Sequence, residues 1–258
     1  MSVAAVQVGA VAGRSIRRTF RQPAMALPPL LFPVALMLVN SAGLGPSTLL
    51  PGFPTDSFLA FALAVPFIQG ALFATMNAGT ELARDIQSGF LNRLSLTSLR
   101  GSALLGGHLA GVVVLGVIQA VFYVVVGLLV GVDVASGPGG IVVLLLFAAL
   151  VSLGFGALGA FLALRTGSGE SVQAMFPLLF VFLFISSMNT PRDLIAVDWF
   201  RWLATVNPVS YLIECVRSLI ITGWDARALA LGFGIATVIA IVSLVLAPRA
   251  LTQRMTRT

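Results

Sequence analysis

Residues 141–164 read IVVLLLFAALVSLGFGALGAFLAL, an apolar stretch that contains no charged side chain. About 20 apolar residues in an α-helix cross the roughly 30 Å hydrocarbon core of a bilayer. The stretch is apolar at consecutive positions, whereas a strand of a membrane barrel alternates apolar and polar residues. The sequence therefore predicts a transmembrane helix here.

Five other segments share this length and character, with charges only at their ends. They are residues 25–44, 58–80, 104–132, 172–188 and 228–247. The chain of 258 residues is 58% hydrophobic and 9% charged, with a mean hydropathy of +1.03. That much apolar surface cannot be buried in a water-soluble core. The sequence predicts an all-α polytopic membrane protein with six transmembrane helices, forming a single domain over residues 1–258.

Several classes of function are disfavoured by the residues that the chain has or lacks. The single Cys215 excludes an internal disulfide, and the single His108 excludes a histidine cluster for a metal ion. A phosphate-binding loop needs a lysine to reach the nucleotide phosphates, and this sequence has no lysine. The net charge of +6 comes from arginines that flank apolar spans, which favours membrane topology over nucleic-acid binding. If ATP drives this protein, another polypeptide must bind it.

The arginines also predict the orientation of the chain. If the six spans alternate in direction, eleven of the 15 basic residues lie on one side: Arg14, Arg17, Arg18, Arg21, Arg84, Arg93, Arg100, Arg165, Arg249, Arg254 and Arg257. The other four lie in the connection before the last span: Arg192, Arg201, Arg217 and Arg227. Positively charged connections stay in the cytoplasm, so both termini are predicted to be cytoplasmic.

Residues 1–23 are predicted to form an amphipathic helix in the membrane surface. Arginines fall on one helical face and apolar residues on the opposite face, namely Arg14, Arg17, Arg18 and Arg21 against Val8, Ala12, Ile16 and Phe20. The alternative is a cleaved secretory signal. The long polar region and the full-length apolar run that follows disfavour that alternative.

Residues 81–100 form a cytoplasmic stretch that is too polar to span the membrane. If the stretch is helical, it carries an apolar stripe beside polar residues: Ile86, Phe90, Leu91 and Leu94 against Asp85, Ser88, Asn92 and Arg93. On spacing alone, such a helix either rests on the bilayer or docks into a groove of a partner.

Residues 190–227 form an unusually long connection before the last span. Asn207 and Pro208 supply an N-cap and a first-turn proline, and Gly223 supplies a stop, for a helix over residues 209–222. That helix is too short to cross the membrane and too apolar to lie in water. We therefore expect it to enter the outer leaflet and return, although an interfacial helix with no role in a pathway is equally consistent with the spacing.

Two further features of this connection carry expectations. Glu214 and Arg217 are three residues apart on the predicted helix and could form an ion pair there, which would reduce the cost of partial burial. Trp199 and Trp202 precede the helix and indicate a position at the outer membrane interface.

Two motifs, taken with the six-span layout, resemble the permease subunits of type-two ABC exporters, especially the daunorubicin-resistance kind. The first is similar to the family's acidic-x-x-Ser-Gly-Phe-Leu-acidic-Arg-Leu motif and reads Asp85-Ile86-Gln87-Ser88-Gly89-Phe90-Leu91-Asn92-Arg93-Leu94, with Asn92 where an acidic residue is usual. The second is similar to the family's pattern before the last span and reads Asn207-Pro208-Val209-Ser210, continuing through Glu214, Arg217 and Gly223.

The resemblance implies roles for both motifs. Residues 81–100 are implied to be the coupling helix on the ATPase subunit, through Asp85, Ile86, Ser88, Gly89, Phe90, Leu91, Arg93 and Leu94. Residues 190–227 are implied to form re-entrant helices that gate the outer side, through Asn207, Pro208, Glu214, Arg217 and Gly223.

The resemblance also implies a function. Two permease subunits, identical or homologous, would work with two ATPase subunits that hold ATP and Mg, while this chain would bind no cofactor. The assembly would export a hydrophobic or amphipathic drug, antibiotic or lipid from the cytoplasm or inner leaflet across a bacterial plasma membrane.

Three other classes of function compete with this one: an ion-coupled secondary transporter, a membrane-embedded enzyme and a non-catalytic membrane scaffold. No Asp or Glu lies near the middle of a predicted span, which disfavours ion coupling. The sequence shows no clustered nucleophile, base or metal ligands, which disfavours an enzyme.

Overall fold

The computed structural model describes residues 23–89 and 101–255, together with Gly9, residues 12–14 and Arg17. All regular elements in these ranges are helices, which confirms the all-α class. The helices are α1 (Pro23–Leu44), α2 (Phe58–Ala62), α3 (Ala64–Gln87), α4 (Gly101–Leu129), α5 (Gly137–Thr166), α6 (Gly169–Ala174), α7 (Phe176–Phe184), α8 (Asp198–Val206), α9 (Pro208–Arg217) and α10 (Ala226–Met255). Short helical turns follow α1 at Gly45–Leu49, precede α8 at Arg192–Leu194 and extend α9 over Ser218–Thr222.

Five helical stretches in these ranges are long and apolar enough to cross a membrane. They are Leu27–Leu49, Phe58–Gln87, Ala103–Leu129, Gly137–Thr166 and Ala226–Arg254. Each coincides with one of the predicted spans. The second extends seven residues beyond the predicted end at Thr80, to Gln87.

The fifth predicted span, residues 172–188, is not a continuous helix. It is divided into α6 and α7, and the apolar helical part, Gly169–Phe184, is shorter than the other five. The division falls at Met175, and Pro177 stands in the first turn of α7. Proline has no amide hydrogen and cannot continue the hydrogen bonds of a preceding helix, so a new helix begins there.

Contacts between helix ends show which connections lie together. At one end of the bundle, Arg254 Nη1 donates to the Leu164 carbonyl at 3.0 Å, which joins the ends of α5 and α10. At the other end, the Ala135 amide donates to the Ile220 carbonyl at 3.0 Å. We call the first the terminal end and the second the hairpin end. Alternation along the chain places the end of α3 at the terminal end, as the predicted topology requires.

Helices α3 and α5 form the centre of the bundle because small residues let their backbones meet. A Cβ atom built on Gly159 would stand 2.1 Å from the Thr75 carbonyl oxygen, and one on Gly79 would stand 2.8 Å from the Gly159 carbonyl oxygen. Helices in lipid have little hydrophobic drive to associate, so van der Waals contact at such small-residue crossings supplies much of the attraction.

A proline in α1 shows how the fold satisfies a carbonyl that loses its helical partner. Pro33 lies inside α1 and has no amide hydrogen to donate to the carbonyl four residues earlier, that of Pro29. The buried Tyr123 hydroxyl of α4 donates to this carbonyl at 2.6 Å. A side chain from a neighbouring helix thus replaces the missing backbone bond.

We predict that Gly159→Ala lowers the melting temperature of the protein in detergent. The added methyl group would collide with backbone atoms of Thr75, which cannot move without shifting α3. Overpacking of this kind typically costs about 1–3 kcal/mol. Gly234→Ala is the matched control, since a Cβ on this helical glycine meets no atom within 4 Å. Equal melting temperatures for the two variants would contradict the close crossing of α3 and α5.

Candidate functional site

The long connection before α10 folds into a hairpin of two helices, α8 and α9, which meet at Asn207. The Asn207 side-chain oxygen accepts a hydrogen bond from the Val209 amide at 2.9 Å, and Pro208 occupies the first helical position. At the far end, Gly223 has a φ of +91°, which a residue with a side chain rarely adopts. The predicted cap and stop are therefore confirmed, and the last turn, Ser218–Thr222, is a π-helix.

The hairpin satisfies backbone groups that the interrupted helix α7 leaves open. A helix end leaves its last four carbonyls without a helical partner. Asn207 Nδ2 donates to the carbonyls of Phe182 at 2.5 Å and Ile185 at 2.7 Å. The hydroxyl of Ser210 accepts a hydrogen bond from the Ser187 amide at 3.2 Å. Asn207 and the first turn of α9 thus supply the hydrogen-bond partners that a continued helix would have supplied.

Arg217 ties three segments together from the buried face of α9. Its Nε donates to the Phe61 carbonyl at 3.2 Å, and its two terminal nitrogens donate to the carbonyls of Ser187 and Met188, each at 3.1 Å. The guanidinium carbon lies 3.4 Å from the centre of the Phe61 ring. A buried cation is costly unless it is hydrogen-bonded, and these carbonyls and the ring provide that environment.

The ion pair that the spacing of Glu214 and Arg217 permits does not form. Glu214 instead pairs with Arg192, at 2.6 Å between carboxylate oxygen and guanidinium nitrogen. The Arg217 side chain points inward to the free carbonyls, whereas Glu214 and Arg192 are partly exposed, and this difference in direction separates the two groups. Arg192 also lies 4.4 Å above the Tyr211 ring. Burial lowers the pKa of Arg192, but Glu214 and Tyr211 raise it, so the net pKa lies above its usual value.

Sequence reasoning missed several residues of this site. Phe61, Ser187 and Met188 contribute carbonyl oxygens, which no sequence pattern identifies. Arg192 precedes Glu214 by 22 residues, and no local spacing links them. The one available signal was the cluster of Ser, Asn and Pro after Phe184, which indicates a helix end whose carbonyls need partners.

The structure describes only the first half of the predicted coupling motif. Asp85 is buried in the last turn of α3, and Ser88 caps that helix with a hydrogen bond from its amide to the Arg84 carbonyl. Gly89 has a φ of +68°, so the chain turns there. Helix α3 ends at Gln87, and the apolar stripe that Ile86 is expected to form with Phe90, Leu91 and Leu94 stays a prediction. Phe90, Leu91, Arg93 and Leu94 lie outside the described residues.

An ion pair joins the N-terminal segment to this motif. Arg14 Nη2 lies 2.6 Å from a carboxylate oxygen of Asp85. The described residues of the N-terminal segment are helical, while most of residues 1–23 lie outside the description. Nearby, His108 Nε2 is 3.0 Å from the Ala78 carbonyl oxygen. The described part of the chain contains no group of three or more His, Cys, Asp or Glu residues that could hold a metal ion.

These features define a class of protein. An apolar helix that stops inside its predicted span and is completed by a hairpin is typical of polytopic transport proteins, because irregular backbone at membrane depth must be buried in protein. The sequence matches the ABC-2 type transporter family over residues 6–221. The chain therefore belongs to the ABC-2 type transporter family, and the resemblance inferred from the two motifs is confirmed. Members of this family are transmembrane subunits, and separate ATPase subunits hydrolyse ATP.

Two curated relatives illustrate the similarity. The daunorubicin resistance ABC transporter permease protein DrrB1 of Streptomyces coeruleorubidus is 30% identical over 171 residues, which is 64% of this chain and 58% of that protein. The putative transport permease ycf38 of Porphyra purpurea is 26% identical over 214 residues, which is 82% of this chain and 72% of that protein. The match thus spans little more than half the length of the first relative.

We predict that Arg217→Lys and Arg217→Gln both destabilise the protein. Lysine cannot place donors on the Phe61, Ser187 and Met188 carbonyls at once, because it lacks the planar fork of arginine. Each buried polar group that loses its partner costs about 1–3 kcal/mol. Melting temperature and detergent-soluble yield are the measurements.

Arg201→Lys is the matched control for these variants. Arg201 pairs with Asp198 on the same helix, and its side chain is 46% exposed, so its replacement should change stability little. If Arg217→Lys is as stable as the wild-type protein, the bonds of Arg217 to the three carbonyls do not hold the hairpin.

Proposed function

We propose that this chain is the membrane-spanning subunit of an ATP-driven exporter of hydrophobic or amphipathic compounds. Membership of the ABC-2 type transporter family carries the proposal, because it implies a permease whose energy comes from another subunit. The relative named for daunorubicin resistance favours an amphipathic drug, antibiotic or lipid as the substrate. The apolar character of all the long described helices suits such a substrate.

The partner that we propose is a pair of ABC ATPase subunits that hold ATP and Mg. This chain has no lysine with which to build a phosphate-binding loop, so it depends on that partner for nucleotide. A second permease subunit, identical or homologous, completes the assembly. Membership of the family favours ATP-driven transport over the ion-coupled alternative.

Residues 81–100 are the proposed contact with the ATPase. The turn at Ser88 and Gly89 follows α3 directly, so a force on this segment acts on the end of a long buried helix. The ion pair between Arg14 and Asp85 brings the N-terminal segment to the same place. The sequence after the turn, Phe90 to Leu94, supplies the apolar anchors that a groove on a partner needs.

The α8–α9 hairpin is the proposed gate on the outer side. Side chains bind its buried face to the end of α7, chiefly Asn207 and Arg217. The Tyr211 hydroxyl of α9 donates to the Thr205 carbonyl of α8 at 2.8 Å, and the apolar side chains of α9 are buried in the main hydrophobic cluster. The hairpin therefore moves as one unit in the transport cycle that we propose.

The orientation that we propose places the terminal end in the cytoplasm of a bacterial cell. Eleven of the 15 basic residues belong to that side, which is the distribution that the positive-inside rule requires. The hairpin then faces outward, and the protein lies in the plasma membrane with both termini inside.

We predict that Phe90→Ala weakens assembly with the ATPase or uncouples ATP hydrolysis from export, while membrane insertion stays normal. Loss of a buried aromatic anchor typically costs about 2 kcal/mol or more at an interface. Co-purification with the ATPase and a transport assay measure the two effects. Asp193→Ala is the control, since Asp193 is exposed at the hairpin end. Unchanged assembly and transport in Phe90→Ala would show that this segment is not the contact with the ATPase.

The proposed orientation of the chain can be tested separately by thiol labelling of single cysteines in a Cys215→Ser background. Asn92→Cys should react with a membrane-impermeant thiol reagent only after the cells are opened, whereas Asp193→Cys should react in intact cells. Cys215 itself is fully buried, so its replacement leaves the accessible surface unchanged. Reaction of Asn92→Cys from outside intact cells would reverse the proposed topology.

A further inference from the structure

A small cavity lies between α3, α4 and α5. Its volume is about 10 Å³, and the polar side chains that line it are those of Gln119, Tyr123 and Ser152. Glycines, alanines and one phenylalanine form the rest of the lining. A cavity of this size holds one water molecule when two or more polar groups face it.

Two glycines bring the polar atoms together at this cavity. A Cβ atom built on Gly70 of α3 would lie 3.3 Å from Gln119 Oε1 and 3.4 Å from the Tyr123 hydroxyl oxygen, so both oxygens reach the same point beside α3. A Cβ on Gly116 of α4 would collide with Ser152 Oγ, which therefore lies directly against the backbone of α4. Polar atoms from α4 and α5 thus share one gap between the three helices.

The hydrogen bonds of these groups are incomplete. The Tyr123 hydroxyl donates its only proton to the Pro29 carbonyl at 2.6 Å, so its oxygen is left to accept a further bond. In the part of the chain that the structure describes, the Gln119 amide and the Ser152 hydroxyl make no hydrogen bond to another protein group. Buried polar groups nearly always have a partner, which is either protein or ordered water.

The depth of the cavity excludes other sources of hydrogen bonds. Ser152 lies near the middle of α5, which covers Gly137–Thr166, and the residue is only 4% exposed. Lipid tails supply neither donors nor acceptors at this depth. One water molecule can donate a proton to Gln119 Oε1 and another to the Tyr123 oxygen, and it can accept the proton of the Ser152 hydroxyl.

We propose that this cavity is a binding site for a single ordered water molecule, held by Gln119, Tyr123 and Ser152. Because Tyr123 also binds the Pro29 carbonyl, the water completes a hydrogen-bonded chain from α5 through α4 to α1. Water-mediated bonds of this kind hold polar groups nearly as well as direct ones. This inference goes beyond the proposed transport function and does not depend on it.

Solid-state NMR of the protein in phosphatidylcholine bilayers tests the inference directly. The measurement follows the transfer of magnetisation from water protons to the side-chain amides of glutamine, and Gln119→Leu identifies the Gln119 signal by its loss. Gln69 is the internal control, because its amide is fully buried without a partner in the described structure and does not line the cavity. We expect the Gln119 amide to receive magnetisation several times faster than the Gln69 amide.

A pair of serine variants tests the assigned partners. Ser152→Ala removes one of the three groups that hold the water, so it should slow the transfer to Gln119 and lower the melting temperature. Ser243→Ala is the matched control, since Ser243 is a buried serine of α10 that does not line the cavity, and it should leave the transfer unchanged.

Two outcomes would overturn the proposal. Equally slow transfer to Gln119 and Gln69 in the wild-type protein would show that the cavity is dry. Unchanged transfer in Ser152→Ala, with a melting temperature equal to or above that of the wild-type protein, would show that the Ser152 hydroxyl binds no water, because removal of an unsatisfied buried group costs nothing. No ATPase or substrate is needed, so the result is separate from the test of the proposed function.

Discussion

A backbone carbonyl inside a membrane must have a hydrogen-bond donor from the protein, because lipid supplies none. This constraint acts where α7 stops at Phe184 and leaves its carbonyls open. Asn207 and Arg217 supply the missing donors, and the position of the hairpin follows from those bonds. The same solution occurs in α1, where Tyr123 serves the carbonyl that Pro33 leaves open.

The described part of the protein combines two kinds of packing. The crossing of α3 and α5 is held by direct backbone contact at Gly159 and Gly79, where even a methyl group has no room. Such packing is continuous and resists deformation. Helix α9 crosses α10 in a similar way, since a Cβ on Gly232 would stand 2.2 Å from the Cys215 Cβ, and it adds directional hydrogen bonds from Asn207 and Arg217 near the end of α7.

One helical stretch connects the region that we propose contacts the ATPase with the hairpin that we propose forms the outer gate. The apolar helical stretch Phe58–Gln87 carries Phe61, whose carbonyl and ring hold Arg217, near one end and Asp85 near the other. The junction between α2 and α3 keeps a helical backbone at Leu63, so the stretch is nearly continuous. Thirty residues of helix extend about 45 Å at the standard rise. Movement at the end that we propose to face the ATPase can therefore reach the hairpin along one nearly continuous helical stretch, without a longer relay of side chains.

Sequence patterns are enough to predict the helical class, five of the long spans, the family, and the start and stop of α9. These are local properties: apolar length, an N-cap before proline, and a glycine that accepts positive φ. Only the packing of distant helices determines that Glu214 pairs with Arg192 and that Arg217 binds carbonyls of Phe61, Ser187 and Met188. Carbonyl oxygens are present at every residue, so no sequence pattern marks the few that a fold leaves open. Which side chain reaches them depends on how distant helices pack.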